Sequence, residues 1–313
     1  MKNKFIAIGH KNPDLDSVLS AVLVSRFGKK VFGFEIEGVV AGDVNNETKY
    51  ILEKLKIKKP RVLKAIKNEI VVIVDTTEPK QIIDGLTEDN LLAVIDHHNL
   101  GGLKSSKPIF MRVEEIGCTG SVIYKILKEK NIKIDKISAI LMASCILSDT
   151  LSLTSPTTTN DDRKILNEVN KIAKLDLKKF VSELFAAKSS LKGISVKDII
   201  SNDYKQFDMG SYKVGIGVWE TTNPETVNIQ KEKIISALLE KKNEEKMDYM
   251  FFSVVDIIKN NSDLYIIGNE EEELAKNVFG TAKDSIIFAK GTVSRKKQLV
   301  PPLMNKLAGE LRK

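Results

Sequence analysis

The sequence predicts an α/β protein whose first domain is a doubly wound, mainly parallel sheet and whose second, smaller domain is also α/β. Two observations predict this fold class. Short β-branched runs alternate with amphipathic stretches through the first half of the chain, which is the order found in doubly wound sheets. With 313 residues, the chain is also longer than one hydrophobic core usually serves, so two domains are expected.

The elements of the first domain follow one another as strand, helix and strand. The apolar runs that predict strands are KFIAIG, EGVVAG, IVVIVD and NLLAVID. The stretches between them that predict helices are DSVLSAVLVSRF and NETKYILEKLKI. Three further helices complete this domain: the apolar ISAILMASCILSDT and the amphipathic EVNKIAKLD and DLKKFVSELFAAK.

The segment at residues 188–193 is rich in small and polar residues, which predicts a linker. The second domain then contains three predicted strands, SYKVGIGVWET, MDYMFFSVVDII and DLYIIG, and helices near residues 228–246 and 270–278. The predicted divisions are residues 1–188 for the first domain, 189–195 for the linker and 196–313 for the second domain.

The composition indicates a cytosolic protein without a membrane partner. No stretch approaches the roughly 20 apolar residues of a membrane span, and the first apolar run is too short for a signal peptide. The two cysteines, Cys118 and Cys145, are expected to be reduced and buried. The net charge of +7 is spread over lysine-rich helical segments, so no nucleic-acid partner is indicated.

All three histidines of the chain lie beside aspartates. His10 stands in GHKNPDLDS, and His97 and His98 stand in VIDHHN. A lone histidine is usually an ordinary core or surface residue, but this pattern includes every histidine at once. Imidazole and carboxylate together are ligands that divalent transition metals accept. The sequence therefore predicts a metal site.

The predicted sheet brings these residues to one edge, because ligands of doubly wound sheets bind at the carboxyl ends of strands. Pro13 fixes a turn after His10, so that Asp14 and Asp16 can point to the same centre. The other residues expected there are Asp75 after IVVIVD, Asp96, His97 and His98 after LLAVID, and Asp149 at the end of the apolar helix.

The carboxylates predicted at this edge would repel one another unless cations neutralised them. Two divalent ions about 3.5–4 Å apart, with one shared carboxylate, would do so. Such a pair lowers the pKa of a bridging water toward neutrality and so produces a hydroxide nucleophile. The expected substrate is an anion with hard oxygens, which indicates phosphate.

A compact basic run, SRKKQ at residues 294–298, stands before two prolines near the end of the chain. Arginine offers phosphate a two-pronged fork and lysine a point charge. We expect Arg295 and Lys296 to end a strand or loop before a Pro-Pro turn and to bind phosphate. Lys205 is a second candidate, although each of these residues could also be part of an ordinary solvated surface.

These motifs resemble those of the DHH phosphoesterase superfamily. The resemblance rests on GHKNPDLDS, the strand-terminal Asp75, Asp96-His97-His98 and Ser148-Asp149. SRKKQ, together with RVEEIGCT, SPTTT and DYKQF, is similar to one branch, the family II manganese-dependent inorganic pyrophosphatases. The resemblance covers essentially the whole chain, and the combination of DHH with SRKKQ is highly specific.

The resemblance implies hydrolysis of inorganic pyrophosphate to two phosphates by a metal-bridging hydroxide. Mn²⁺ or Co²⁺ would fill the paired site, and Mg²⁺ would accompany pyrophosphate. It also implies a cytosolic homodimer joined through the first domain, with a DHHA2-like second domain that closes over the site.

By the same resemblance, each predicted site residue has a role, and Asp75 bridges the metals. Asp96 would orient a neighbouring histidine. One metal would bind His10, Asp14 and Asp75; the other would bind Asp16, Asp75, His97 and Asp149. The residues in contact with substrate would be His98, Lys205, Arg295 and Lys296.

Two positions depart from the family pattern. Asp75 is followed by Thr76-Thr77-Glu78 where His-Asn-Glu is common, which removes an imidazole near the metals and puts the metal preference in question. Thr154 replaces the lysine usually seen before SPT. The short segment from Lys54 to Ile70 leaves no room for the regulatory nucleotide-binding insertion that some members carry.

Three alternatives remain at this stage. An oligonucleotide phosphodiesterase of the superfamily usually has a histidine-containing motif in its second domain, whereas this chain has no histidine after His98. An exopolyphosphatase is closer in chemistry. A non-catalytic metal or phosphate sensor is disfavoured because the full set of expected metal ligands is present.

Overall fold

The computed structural model describes residues 4–191 and 193–310 of the chain. Lys192 of the predicted linker lies outside these residues, as do the outermost residues of the two predicted domains. Contacts within the chain define two compact units, one up to Ala187 and one from Lys188 onward. Each unit is built on its own sheet.

The first unit contains a six-stranded sheet in which every neighbouring pair is parallel. The strand order is β3-β2-β1-β4-β5-β6. The strands are β1 (Lys4–Ile8), β2 (Ile36–Val40), β3 (Arg61–Val62), β4 (Glu69–Val74), β5 (Leu91–Asp96) and β6 (Phe110–Val113). The strand order runs outward in both directions from the β1–β4 pair, so the predicted doubly wound parallel sheet is confirmed.

Helices with polar N-caps connect these strands. The side chains of Asp14, Asn45 and Asp135 each accept a backbone N–H at a helix start, which satisfies donors that have no partner within the helix. The helices are α1 (Leu15–Phe32), α2 (Asn46–Lys54), α3 (Thr119–Glu129), α4 (Lys136–Asp149), α5 (Asn160–Ala173) and α6 (Leu177–Lys188).

The strand order reverses between β1 and β4, which are neighbours at the centre of the sheet. Doubly wound sheets bind ligands at this point, outside the carboxyl ends of the strands. The apolar core holds in place the strands and the helix that end at this point. Ile8 and Ile73 are fully buried in one cluster of apolar side chains, and every residue from Ser138 to Ser148 of α4 is buried.

The second unit contains a five-stranded mixed sheet in the order β11-β10-β9-β8-β7. Only the β8–β9 pair is parallel among its described strands. The strands are β7 (Asp203–Met209), β8 (Tyr212–Thr221), β9 (Tyr249–Asp256), β10 (Asn261–Tyr265) and β11 (Ile286–Lys290). The helices are α7 (Val196–Ser201), α8 (Glu225–Asn228), α9 (Lys231–Glu244), α10 (Asn269–Phe279) and α11 (Val300–Glu310).

Both faces of the second sheet are covered. Consecutive residues of a strand point to opposite faces, and Phe251 and Phe252 of β9 accordingly enter two separate clusters. Phe252 packs with residues of α7 and α9, whereas Phe251 packs with residues of α10 and α11. The prediction of a second, smaller α/β domain is confirmed.

The segment around the basic run differs from the prediction. Residues Arg295–Leu299 form a helical turn in which the N–H of Leu299 donates to the carbonyl of Ser294, five residues earlier. Pro301 and Pro302 then lie in the first turn of α11, so the prediction of a Pro-Pro turn is wrong. Proline is tolerated there because the first N–H groups of a helix have no intrahelical acceptor.

Within residues 4–191 and 193–310, none of the helices combines the length and the apolar composition that crossing a lipid bilayer requires.

Candidate metal centre

The carboxyl ends of three adjacent strands deliver the histidines and two of the aspartates. His10 lies two residues after β1, and Asp75 follows β4 directly. Asp96 is the last residue of β5 and is followed by His97 and His98.

Helix termini deliver the other three aspartates. Asp14 caps the N-terminus of α1, and Asp16 lies in the first turn of the same helix. Asp149 is the last residue of α4, as the sequence predicted. The carboxylates are therefore held by buried helices rather than by free loops.

The side chains converge in three groups, and within each group the potential ligand atoms lie within 4.8 Å of one another. Asp75 belongs to two of the groups, and so does His97. The three groups are His10, Asp14 and Asp75; Asp16, His97 and Asp149; and Asp75, His97 and His98.

The two carboxylate oxygens of Asp75 face different histidines. Its Oδ2 atom lies 3.3 Å from Nε2 of His10, and its Oδ1 atom lies 3.4 Å from Nε2 of His97. Nε2 of His10 is also 3.3 Å from Oδ2 of Asp14, and Nε2 of His97 is 3.8 Å from Oδ2 of Asp149. A carboxylate shared in this way suits two neighbouring cations.

The backbone sets which nitrogen of each histidine faces the cluster. Nδ1 of His10 donates to the carbonyl of Lys11 at 2.7 Å, and Nδ1 of His97 donates to the carbonyl of Ile116 at 3.0 Å. Because a carbonyl can only accept, the proton of each ring lies on Nδ1. Each Nε2 is then a lone-pair donor, the form in which histidine binds a metal.

The pKa shifts indicate that the buried carboxylates of the cluster repel one another. Burial, with repulsion from Asp75 and Asp14, raises the pKa of Asp16 to about 7. Burial also disfavours the charged form of Asp75, but the imidazoles of His10 and His97 beside it hold the pKa of that carboxyl well below its usual range. Divalent cations would relieve the repulsion between the carboxylates. Imidazole and carboxylate donors also match what such cations accept, so these residues fit a metal pair.

Asp75 has an unusual backbone conformation. Its φ angle is +59°, in the left-handed region, where aspartate and asparagine are among the better tolerated residues. Its N–H donates to the carbonyl of Ile95 at 3.0 Å, which ties it to the neighbouring strand. This left-handed conformation comes directly after Val74, the last residue of β4.

Asp96 supports the histidines that follow it. Its Oδ1 atom accepts the N–H groups of His97 and His98 at 2.7 and 3.0 Å, and it lies 2.8 Å from Nδ1 of His98. The expected contact between Asp96 and a neighbouring histidine is therefore present, and that histidine is His98.

Of the three predicted basic residues, Lys205 lies on β7, and Arg295 contacts β7 and β8 through its guanidinium. Nη1 of Arg295 donates to the carbonyls of Asp203 and Ile216 at 2.6 and 3.2 Å, and Nη2 lies 2.6 Å from Oδ1 of Asp203. Ile216 is the register partner of Lys205. Lys296 is half-buried in the helical turn that follows Ser294.

Lys205 is unusual because it is buried, with only 8% of its surface exposed. Its ammonium group forms no hydrogen bond or ion pair with the residues that the structure describes. An ammonium without a counter-charge in the protein is available to a phosphate anion.

The sequence did not identify the residues that hold the aspartates in place. The start of α3 supplies backbone N–H groups and a hydroxyl to Asp16 and Asp75. The only sequence signal for this segment was the motif RVEEIGCT at residues 112–119, which resembles the pyrophosphatase branch but was given no role.

Two family models and several known proteins match this chain over most of its length. The DHH family N-terminal domain model matches residues 4–146, and the DHHA2 domain model matches residues 182–306. The manganese-dependent inorganic pyrophosphatase of Bacillus subtilis is 36% identical over 310 residues, which cover 97% of this chain and 99% of that protein. The chain belongs to the manganese-dependent inorganic pyrophosphatase family.

Another member of this pyrophosphatase family, from Methanothrix thermoacetophila, is 35% identical over 305 residues, covering 97% of this chain and 98% of its own. The fold agrees with a crystal structure from Methanococcus jannaschii, described as a candidate family II inorganic pyrophosphatase. That structure has a TM-score of 0.88 and 33% identity, and the match covers 97% of this chain and 99% of the other. The family resemblance inferred from the motifs is confirmed.

Proposed function

We propose that this protein hydrolyses inorganic pyrophosphate to two phosphates at a two-metal centre occupied by Mn²⁺ or Co²⁺, with Mg²⁺ accompanying the substrate. The observation that carries the proposal is the position of Asp75, whose two oxygens face His10 and His97 in two separate ligand groups. Membership of the pyrophosphatase family supports the substrate.

We assign the ligands by these groups. The first metal binds His10, Asp14 and Asp75, and the second binds Asp16, Asp75, His97 and Asp149. The short distances within the groups support this division. His98 is also within reach of Asp75 in one group, but its Nδ1 is engaged with Asp96, and we assign it to the substrate.

The bound metals supply Lewis acidity, which neutralises phosphate oxygens and lowers the pKa of water. The protein supplies orientation and charge. His10 and His97 hold their protons on Nδ1, toward backbone carbonyls, so that both Nε2 atoms remain lone-pair donors. Preorganised groups of this kind lower the barrier because they do not rearrange during the reaction.

The basic residues of the second unit are assigned to the phosphate that leaves. Lys205 contributes a point charge, and Arg295 contributes a guanidinium held by Asp203. Lys296 is the third cation of this set. Positive charge on the departing phosphate favours cleavage, and positioning and electrostatics dominate phosphoryl transfer. Together with Asp75 and His98, these three residues form the proposed catalytic set.

We further propose a cytoplasmic homodimer joined through the first unit, with no nucleic-acid or membrane partner. Strand β6 lies at the edge of its sheet, and Phe110 and Met111 on it are 38% and 46% exposed. Exposed edge strands with apolar side chains are suited to pairing with another chain. Sedimentation of Met111→Glu beside the unaltered protein tests this, since the variant should shift toward the monomer.

Release of phosphate tests the proposed reaction. Protein loaded with Mn²⁺, Co²⁺ or Mg²⁺ is given pyrophosphate, tripolyphosphate or a linear dinucleotide in parallel. We expect fast release from pyrophosphate that depends on Mn²⁺ or Co²⁺. Preferred cleavage of tripolyphosphate would indicate an exopolyphosphatase, cleavage of the dinucleotide would indicate a phosphodiesterase, and no cleavage would favour a sensor.

A further inference from the structure

The start of α3 lies against the metal centre, and the proposed reaction gives it no role. Asp16 accepts two of its backbone N–H groups: that of Thr119 on Oδ2 at 2.6 Å and that of Gly120 on Oδ1 at 3.0 Å. The first N–H groups of a helix have no intrahelical acceptor and favour negative charge. Both oxygens of Asp16 are therefore fixed from the same helix end.

Thr119 also contacts Asp75, a second proposed metal ligand. Its hydroxyl donates to Oδ1 of Asp75 at 3.0 Å. Thr119 is fully buried, so water does not compete for either contact. One residue thus touches Asp16, assigned to the second metal, and Asp75, assigned to both.

The helix start is itself anchored from α5. Asp162, which is buried in the first turn of α5, accepts the N–H of Gly117 at 2.8 Å and the hydroxyl of Ser121 at 2.7 Å. These contacts stand on either side of Thr119 in the chain, so its backbone is fixed on both sides.

Gly120 allows the close approach to α4. A Cβ atom at this position would lie 2.7 Å from Cβ of Cys145 and 3.5 Å from Oδ1 of Asp16. The absence of a side chain therefore lets the start of α3 pack closely against Cys145.

We propose that Thr119 is a positioning residue for the metal pair: its N–H fixes Asp16 and its hydroxyl fixes Asp75, which sets the spacing of the two metal subsites. The proposal rests on the proposed function, because it takes Asp16 and Asp75 as metal ligands. Hydrogen-bond partners of metal ligands commonly contribute about 10–100-fold to metal affinity or activity.

Thr119→Val is the direct test, because valine has nearly the same shape and keeps the backbone N–H but lacks the hydroxyl. Thr119→Ser keeps the hydroxyl. Thr48→Val is the matched control, since Thr48 is also buried in the first turn of a helix of the same unit, and its hydroxyl has no hydrogen-bond partner among the described residues. Thr119→Ala serves as a second hydroxyl-free variant if valine prevents folding.

Binding of Mn²⁺ to each protein is titrated after metal removal, and the electron paramagnetic resonance spectrum of the pair is recorded. We expect Thr119→Val to weaken binding of one Mn²⁺ by about 10–100-fold and to alter the spin-coupled signal. Thr119→Ser should restore both properties, and Thr48→Val should match the unaltered protein.

Two results would overturn the role of Thr119: unaltered affinity and signal in Thr119→Val, or an equal loss in Thr48→Val. Mn²⁺ binding to the unaltered protein distinguishes a wrong role for Thr119 from a wrong proposed function. If it binds fewer than two Mn²⁺ ions, the two-metal proposal is wrong, and the role assigned to Thr119 is wrong with it.

Discussion

His98 directs its Nδ1 atom at the carboxylate of Asp96, 2.8 Å away. Burial disfavours the charged form of Asp96, but the hydrogen bond from His98 outweighs it and lowers the pKa of Asp96. The carboxylate is thus ionised at neutral pH and accepts the proton on Nδ1. This contact fixes the ring and directs Nε2 away from Asp96.

Replacing Asp96 with asparagine should weaken catalysis more than metal binding. Asparagine keeps an oxygen for the backbone N–H groups of His97 and His98, but it lacks the negative charge that holds the ring of His98. We expect kcat/KM for pyrophosphate to fall about 10–100-fold. Steady-state kinetics give this value, and Mn²⁺ titration of the same variant should still give two bound ions. Unchanged kcat/KM would show that the ring needs no such support.

Lys205 should matter far more for substrate than an exposed lysine on the same hairpin. A hydrogen bond to a charged group contributes about 1.5–3 kcal/mol, so Lys205→Ala should lower kcat/KM by about 10–100-fold. Lys213→Ala, which removes an exposed lysine of β8, is the control and should leave the kinetics unchanged. An equal fall in kcat/KM for the two variants would mean that the net charge of the protein, rather than the position of Lys205, determines substrate binding.

The ion pair between Arg295 and Asp203 can be tested with a second pair of variants. Asp203→Ala should free the guanidinium and raise KM for pyrophosphate, because the fork would no longer be held in one orientation. Asp208→Ala, at an exposed position of the same strand, is the control. Mn²⁺ binding should be unchanged in both. A KM in Asp203→Ala equal to that of the control would contradict a role in orienting Arg295.

Removal of metal should destabilise the first unit. Ligand present at 100 times its dissociation constant stabilises a folded protein by about 2.7 kcal/mol for each site. Mn²⁺ should therefore raise the melting temperature of the unaltered protein, and Asp75→Asn should lose most of this rise. Asparagine is chosen because it tolerates the positive φ of this residue.

Asp135→Asn is the control for that experiment, since Asp135 is an aspartate of the same unit that caps α4 and belongs to none of the ligand groups. It should keep the full effect of Mn²⁺, because asparagine is also a good N-cap. A normal Mn²⁺ effect in Asp75→Asn would contradict the role of Asp75 as the shared ligand.

The positions of the proposed metal ligands could be predicted because they depend on local patterns. Each apolar run marks a strand, and the polar residue after it must lie at the carboxyl edge of the sheet. Asp75, for example, follows IVVIV directly, and β4 ends at Val74. A longer apolar run predicted the helix α4 and its terminal Asp149.

The supports of the ligands could not be predicted, because they join distant parts of the chain. Thr119 contacts Asp16 across 103 positions, and Asp162 contacts Gly117 across 45. No periodicity in either segment signals such contacts.

Short or polar elements were also missed. Strand β3 has two residues, and β7 contains three charged residues, so neither has a clear apolar pattern. In the basic run, the two prolines suggested a turn, although the first turn of a helix accepts them equally well.

The most direct test of the account is the activity of metal-free protein that receives Mn²⁺ in measured amounts. Phosphate release from pyrophosphate is followed as Mn²⁺ is added from zero to three equivalents per chain, with Mg²⁺ supplied with the substrate. The shared position of Asp75 predicts little activity after the first equivalent, a steep rise during the second and a plateau after it. Full activity with one equivalent, or without Mn²⁺, would contradict a two-metal centre.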